Sequence, residues 1–119
     1  ISFIQLLAPT TTKNRMRQII RDSHDMVYYI SMLSTTGGKL KVSSKKIIKN
    51  YNNIKKINNK INLVIGFGIT DKNIRSLKSA NGLVVGSLLC KIITNSIQKR
   101  QNPVTNLNKM LYKLKKEIS

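Results

Sequence analysis

Glycine-containing loops at the ends of apolar segments hold the residues of this chain whose types and spacing could do chemistry. Gly66-Phe67-Gly68 ends one apolar segment, Gly86-Ser87 ends the next, and Gly37-Gly38 follows an earlier one. Glycine lets backbone N–H groups approach an anion closely, and a helix N-terminus adds partial positive charge. Each of these loops alone is compatible with a simple tight turn. Two such loops on neighbouring strands, one of them opening a helix, predict a phosphate-binding site.

The chain carries few groups for acid–base or metal chemistry. It has four acidic residues, one histidine and one cysteine among 119 residues. A single cysteine excludes an intramolecular disulfide and a zinc site built on cysteines, and a single histidine leaves no imidazole pair. We therefore predict no metal and no cofactor. We expect Thr70 or Asp71 to cap a short helix and Cys90 to be buried in a later one. The groups concerned are Asp22, Asp25, Asp71, Glu117, His24 and Cys90.

Four strand-like segments, each followed by a helical pattern, must position the glycine loops. The segments are residues 2–7, 26–31, 61–67 and 82–85. Alternation of strands and helices, with nearly continuous strand hydrophobicity, predicts a parallel sheet covered by helices. Right-handed crossovers bring every strand-to-helix loop to one edge of such a sheet, which is where α/β proteins bind ligands.

Helical patterns fill the intervals between these segments. The first begins at Thr11 or Thr12, and the second covers about residues 43–57. A short helix is expected after Thr70, and a longer one runs from Gly86-Ser87 to about residue 100. Pro103 precedes a last helix at about residues 104–117. We predict a single partial domain over residues 1–119, since the length allows one domain.

The net charge of +18 first suggests a polyanion as partner. The lysines, however, alternate with apolar residues in helical patterns, which places them on the solvent side of amphipathic helices. Lys, Asn and Ile are the residues that A+T-rich codons favour, so we prefer codon bias to a nucleic-acid groove as the explanation. No apolar segment approaches the roughly 20 residues that span a bilayer, so no membrane helix is expected.

Five segments of the chain are Ala8-Pro9-Thr10-Thr11, Tyr28-Tyr29-Ile30-Ser31, Thr36-Gly37, Gly66-Phe67-Gly68-Ile69 and Gly82-Leu83-Val84-Val85-Gly86-Ser87. In this order they resemble the C-terminal half of the tryptophan synthase alpha chain family. The combination of the first two is the most specific part of the resemblance, which covers nearly all of the chain and weakens after about Ile93. It implies the last four βα units of a (βα)8 barrel about twice this length. The chain opens in an apolar run, so we expect it to be a fragment.

The resemblance implies a lyase of tryptophan biosynthesis. The family reaction is an aldolase-type cleavage of indole-3-glycerol phosphate to indole and glyceraldehyde 3-phosphate, without a cofactor. Its catalytic Glu and Asp are expected upstream of Ile1, so we expect no catalytic residue here and an inactive fragment. The implied partner is the tryptophan synthase beta chain. The expected location of this protein is the bacterial cytoplasm or the plastid stroma.

Residues matching the family motifs receive roles by resemblance. Gly37, Gly68, Gly86 and Ser87 match phosphate-contacting positions. Tyr28 and Phe67 match residues near the indole ring, although Tyr28 is equally suited to plain core, and Thr36 matches a loop-closing threonine. The loop reads Ser31-Met32-Leu33-Ser34-Thr35-Thr36-Gly37, without the usual arginine and first glycine of Ser-Arg-Ala-Gly-Val-Thr-Gly. Three alternatives stay open: another phosphate-binding barrel enzyme, a basic nucleic-acid-binding protein, and a non-catalytic half-barrel remnant.

Overall fold

The computed structural model describes residues 1–31 and 42–119, and its centre is a four-stranded parallel sheet. The strands lie side by side in chain order, each paired in parallel with the next. This confirms the predicted parallel arrangement. The first strand is shorter than expected, because residues 2–4 lie outside the strand and are exposed. The strands are β1 (Gln5–Leu7), β2 (Met26–Ile30), β3 (Asn62–Gly66) and β4 (Gly82–Val84).

Four α-helices and one 3₁₀ turn connect and cover these strands. Side chains of Thr12, Ser43 and Asn102 accept hydrogen bonds from backbone N–H groups in the first turns of three of the helices. Among the described residues, no helix is long and apolar enough to cross a membrane. The elements are α1 (Lys13–Asp22), α2 (Ser44–Lys55), the 3₁₀ turn (Ile74–Leu77), α3 (Ser87–Gln98) and α4 (Pro103–Ile118).

The two faces of the sheet differ in burial. Leu7, Tyr29 and Ile65 lie in one row of the register and are at most 1% exposed, because helices cover that face. Leu6 belongs to the opposite face and is 57% exposed. In a closed (βα)8 barrel the first face contacts the helices and the second lines the interior. The observed sheet has this division.

A polar network ties the amino edge of the sheet to α2. The Tyr51 hydroxyl donates to Asn81 Oδ1 at 2.9 Å and accepts from the Asn81 backbone N–H at 2.9 Å. Lys55 Nζ donates to the same Asn81 oxygen at 3.0 Å and to the Ile61 carbonyl at 2.8 Å. Burial raises the pKa of Tyr51 despite an opposing hydrogen bond to Asn81, so the hydroxyl keeps its proton at neutral pH. The network therefore fixes where β3 and β4 begin.

We expect Tyr51→Phe to lower the free energy of unfolding by about 1–2 kcal/mol, because it removes both hydrogen bonds between Tyr51 and Asn81 and leaves the Asn81 backbone N–H without its partner. Tyr112→Phe is the matched control, since Tyr112 is 75% exposed and its hydroxyl can bond to water. Urea unfolding of both variants measures the difference. Equal midpoints for the two variants would contradict a structural role for the network.

Candidate functional site

The loops after β3 and β4 leave the sheet side by side. Gly66, the last residue of β3, is paired with Val84, the last residue of β4. Gly68 and Gly86 each lie two residues beyond these paired positions. Since the strands are parallel, both glycines stand at the carboxyl edge of the sheet. The structure thus brings together the two loops in which the sequence predicted an anion site.

The loop after β3 has an unusual backbone. Phe67 and Gly68 both have positive φ, at 77° and 72°. A left-handed conformation is unfavourable for a residue with a Cβ, so surrounding contacts must hold Phe67 in it. The Phe67 side chain is 47% exposed and is free to contact a ligand at this edge.

A buried serine supplies one of those contacts. The Ser31 side chain follows β2 and is 0% exposed. Its Oγ lies 2.8 Å from the Gly66 carbonyl oxygen and 2.6 Å from the Phe67 carbonyl oxygen, so its one proton is shared between them. The Ser31 N–H also donates to the Gly66 carbonyl at 3.0 Å. The loop is therefore anchored to the neighbouring strand from below.

Asn73 closes the same loop from its other end. Its Nδ2 donates to the Gly68 carbonyl at 2.9 Å, and its Oδ1 accepts from the Thr70 N–H at 2.8 Å. The prediction that Asp71 caps a helix here is wrong: a 3₁₀ turn begins after Asn73, and no side chain caps it. Asp71 instead binds Lys113 of α4, with a carboxylate-to-Nζ distance of 2.6 Å.

The loop after β4 ends at an uncapped helix. Gly86 is the N-cap of α3 and has no side chain that could accept from the first turn. A Cβ added at Gly86 would have no heavy atom within 4 Å, so the space above it is open. The Ser87 side chain is exposed beside that space. Free N–H groups at a helix N-terminus are a favourable environment for an anion.

A close contact joins the open face of the sheet to this edge. A Cβ on Gly66 would lie 1.8 Å from the Tyr28 hydroxyl oxygen and 2.2 Å from Cζ of the same ring. The Tyr28 ring therefore lies directly against the Gly66 backbone, one residue before Phe67. This contact places two aromatic rings at the carboxyl edge, next to the glycine loops.

A groove lies elsewhere in the molecule. It has a volume of about 660 Å³ and lies between α1 and α2, with Arg17, Tyr29 and Asn50 among its lining residues. It includes neither Gly68 nor Gly86. The groove includes the N-terminus of α1, which the Thr12 side chain already caps, whereas the N-terminus of α3 at Gly86 is uncapped. We therefore place the candidate site at the glycine loops.

Comparison with known proteins identifies the family to which this chain belongs. The family model of the tryptophan synthase alpha chain matches residues 1–119. The alpha chain of Pelagibacter ubique (strain HTCC1062) is 70% identical over all 119 residues, which make up 45% of its length. That of Aquifex aeolicus (strain VF5) is 35% identical over 113 residues, covering 93% of this chain and 42% of the relative. This chain belongs to the tryptophan synthase alpha chain family.

Solved structures confirm the fold. The alpha subunit of tryptophan synthase from Legionella pneumophila superposes with a TM-score of 0.78 at 25% identity, over 97% of this chain and 41% of that subunit. A tryptophan synthase structure from M. tuberculosis superposes with a TM-score of 0.72 at 19% identity, over 98% of this chain and 40% of its own; this likeness shows the fold alone. The predicted half of a (βα)8 barrel is confirmed. The chain spans less than half the length of these alpha-chain relatives.

The remaining residues singled out in the sequence fall away from this edge or outside the described part of the chain. Thr36 and Gly37 lie outside the described residues 1–31 and 42–119. His24 and Asp25 are exposed just before β2, at the amino edge. Cys90 was expected to be buried, but it is exposed on α3. Within the described ranges, no three His, Cys, Asp or Glu side chains cluster as metal ligands would.

Ser31 and Asn73 are the positions that motif reasoning missed. A buried polar residue directly after an apolar strand is a weak signal, and an asparagine five residues after a glycine is a weaker one. In both cases the hydrogen-bonding partner is a loop carbonyl, which the sequence does not specify. The contacts of Ser31 and Asn73 with these carbonyls depend on the three-dimensional course of the loop.

We expect Gly66→Ala to lower the free energy of unfolding by about 1–3 kcal/mol, because the rigid Tyr28 ring must move away from the new methyl group. Gly86→Ala is the matched control, since its methyl group would enter open space. Thermal unfolding of the two variants compares them. A loss for Gly86→Ala as large as that for Gly66→Ala would contradict the close Tyr28 contact.

The Asp71–Lys113 pair predicts a pH-dependent contribution to stability. The hydrogen bond from Lys113 lowers the pKa of Asp71 below its usual value, and the same bond raises the pKa of Lys113. A lowered carboxyl pKa gives stability that is complete above the unfolded-state pKa and is lost as the pH falls through the folded-state pKa. The pair should therefore contribute fully between about pH 5 and about pH 9, and its contribution should also be lost as the pH rises through the raised pKa of Lys113.

Lys113→Met tests this prediction, with Lys115→Met removing the same charge from the same helix. We expect the thermal midpoint of Lys113→Met to lie below that of the control at pH 7, and the gap to narrow as the pH falls below about 4. Salt should also narrow the gap, since both side chains of the pair are partly exposed. A gap that is the same at both pH values would contradict the pairing.

Proposed function

We propose that this chain forms the phosphate-binding half of a lyase that cleaves indole-3-glycerol phosphate to indole and glyceraldehyde 3-phosphate in tryptophan biosynthesis. The observation that carries the proposal is the convergence of two anion-binding backbones at one edge. Gly68 stands in the left-handed loop after β3, and Gly86-Ser87 opens α3 after the adjacent β4. Gly37 belongs to the same proposed phosphate site.

Two elements of this site suit a phosphate group in different ways. The backbone at Gly68 is free of a side chain that would keep a phosphate oxygen at a distance. The N-terminus of α3 adds N–H groups and the positive end of the helix dipole, and the Ser87 hydroxyl adds a further donor. A phosphate held by both loops fixes one end of the substrate at the sheet edge.

Aromatic side chains suit the other end of the substrate. We assign Tyr28 and Phe67 to the wall of the indole pocket, since the Tyr28 ring lies against Gly66 and Phe67 is half exposed beside it. An indole ring packs well against aromatic faces. We assign Thr36 the loop-closing role that its match to the family motif implies.

The proposed reaction needs two positioned acid–base groups, because the indole ring must tautomerise while a glycerol hydroxyl loses its proton. Asp71 is the acid nearest the glycine loops in sequence, and its ion pair with Lys113 keeps it ionised and engaged. Asp22 and Asp25 are exposed around the amino edge of β2. We therefore assign binding and orientation to this chain. The catalytic Glu and Asp belong to the part of the longer relatives that precedes the matched residues, so residues 1–119 alone should be inactive.

The proposed partner is a tryptophan synthase beta chain, which would take the indole that this reaction releases. The partner follows from family membership. Stimulation of the lyase reaction by a beta chain measures this association, and no change on adding the beta chain would oppose it.

A chimaeric chain tests the proposed function. The part of the Pelagibacter ubique alpha chain that precedes the matched region is joined to Ile1. This rebuilds the full length of a relative that is 70% identical to this chain over residues 1–119. We expect the chimaera to release indole from indole-3-glycerol phosphate. A preference for a sugar phosphate without an indole ring would favour a different barrel enzyme. A folded chimaera that cleaves neither indole-3-glycerol phosphate nor such a sugar phosphate would indicate a non-catalytic remnant.

We expect Ser87→Asp in this chimaera to raise KM for indole-3-glycerol phosphate by about tenfold or more, because a carboxylate at the start of α3 repels the phosphate and competes for its donors. Ser79→Asp is the matched control, adding the same charge to an exposed serine just before β4 at the amino edge. Steady-state kinetics compare the two variants. Equal KM values would oppose a phosphate site at the Gly86-Ser87 loop.

A further inference from the structure

We propose that Ser31 and Asn73 are positioning residues that aim the Gly68 amide at the substrate phosphate. This inference rests on the proposed phosphate site and adds to it the groups that hold its backbone in place. Neither residue needs to touch the ligand. Each binds the carbonyl of one of the two peptide groups that flank the Gly68 α-carbon.

Ser31 controls the peptide group before that carbon. The Phe67 carbonyl and the Gly68 N–H belong to one planar peptide group and point in opposite directions. The Ser31 Oγ lies 2.6 Å from the Phe67 carbonyl oxygen, beneath the loop. Holding this oxygen toward the buried Ser31 turns the Gly68 N–H outward, toward the open carboxyl edge.

The strain at Phe67 explains why such an anchor is needed. Phe67 has φ of 77°, a conformation that residues with a Cβ rarely adopt. Without the Ser31 hydrogen bonds to the Gly66 carbonyl, the peptide between Gly66 and Phe67 could rotate to relieve that strain. The following Phe67–Gly68 peptide would then lose its orientation. Ser31 is 0% exposed, so no water can take over its hydrogen bond without entering the core.

Asn73 controls the peptide group after the same carbon. Its amide uses both of its polar atoms: Nδ2 donates to the Gly68 carbonyl at 2.9 Å, and Oδ1 accepts from the Thr70 N–H at 2.8 Å. A side chain of this length with a donor and an acceptor bridges the loop from Gly68 to Thr70. With the peptide groups on both sides of Gly68 held, the direction of its N–H is set before any ligand arrives.

The anchors also strengthen the donor they position. A hydrogen bond accepted by a peptide carbonyl polarises that peptide and makes its N–H a better donor. Ser31 donates to the carbonyl of the peptide whose N–H belongs to Gly68. The same hydroxyl therefore orients the Gly68 amide and favours its contact with an anion.

The test measures binding to the chimaera by titration calorimetry, with glycerol 3-phosphate and indole as separate ligands. We expect Ser31→Ala to weaken the binding of glycerol 3-phosphate by about tenfold, which is the effect of losing one buried hydrogen bond. Ser96→Ala is the matched control, since Ser96 is 2% exposed and its hydroxyl bonds to Ile92 within α3. Ser96→Ala should leave glycerol 3-phosphate binding unchanged.

Asn73→Ala provides a second variant that does not alter the buried core. We expect it to weaken the binding of glycerol 3-phosphate by about three- to tenfold while changing the binding of indole by less than about twofold. Its control is Asn58→Ala, which removes an asparagine that accepts from the Lys60 N–H near the amino edge. The contrast between the two ligands separates aiming of the amide from a general loss of structure.

Each outcome decides the proposal. Unchanged glycerol 3-phosphate binding in Ser31→Ala and Asn73→Ala overturns it, and so does an equal loss in the Ser96→Ala control. A chimaera that binds glycerol 3-phosphate but does not cleave indole-3-glycerol phosphate ends the proposed function, while the variants still decide the role of the anchors. A chimaera that binds no glycerol 3-phosphate ends both, because the Gly68 amide would then face no phosphate.

Discussion

The parallel pairing of β3 with β4 is the constraint on which the rest of the structure depends. It sets Gly66 opposite Val84, so the two glycine loops leave the sheet at the same edge and at the same height. A shift of one residue in this register would turn the open-face residues toward the helices. It would also move the loop after β4 one residue out of alignment with Gly68. The convergence of the two glycine loops at one edge is therefore a consequence of the sheet register.

Stabilising contacts and the proposed binding loops lie at opposite ends of the strands. At the amino edge, Tyr51, Lys55 and Asn81 form a closed polar network that fixes the starts of β3 and β4. At the carboxyl edge the backbone is glycine-rich, one helix is uncapped, and Phe67 is held in a strained conformation. Barrel proteins commonly divide their two ends in this way. Here the division is visible within four strands.

The sequence was sufficient to predict the alternation of strands and helices, the parallel sheet and the glycine loops at one edge. These features follow from local patterns of apolar residues and from the handedness of crossovers. The role of Asp71 could not be predicted, because its partner Lys113 lies 42 residues away on α4. The exposure of Cys90 was missed for a similar reason: helical position alone does not say which face another element covers. The contacts of Ser31 with two loop carbonyls likewise depend on how β2 and β3 pack.

The central claim is that the carboxyl edge of β3 and β4 binds the phosphate of the substrate. The most direct measurement is the change in backbone amide resonances of the ¹⁵N-labelled chimaera as glycerol 3-phosphate is added. This account predicts saturable shifts at the amides of Gly68, Gly86 and Ser87. Saturable binding that leaves these three amides unmoved, with shifts instead at Arg17 and Asn50 in the groove between α1 and α2, would contradict it.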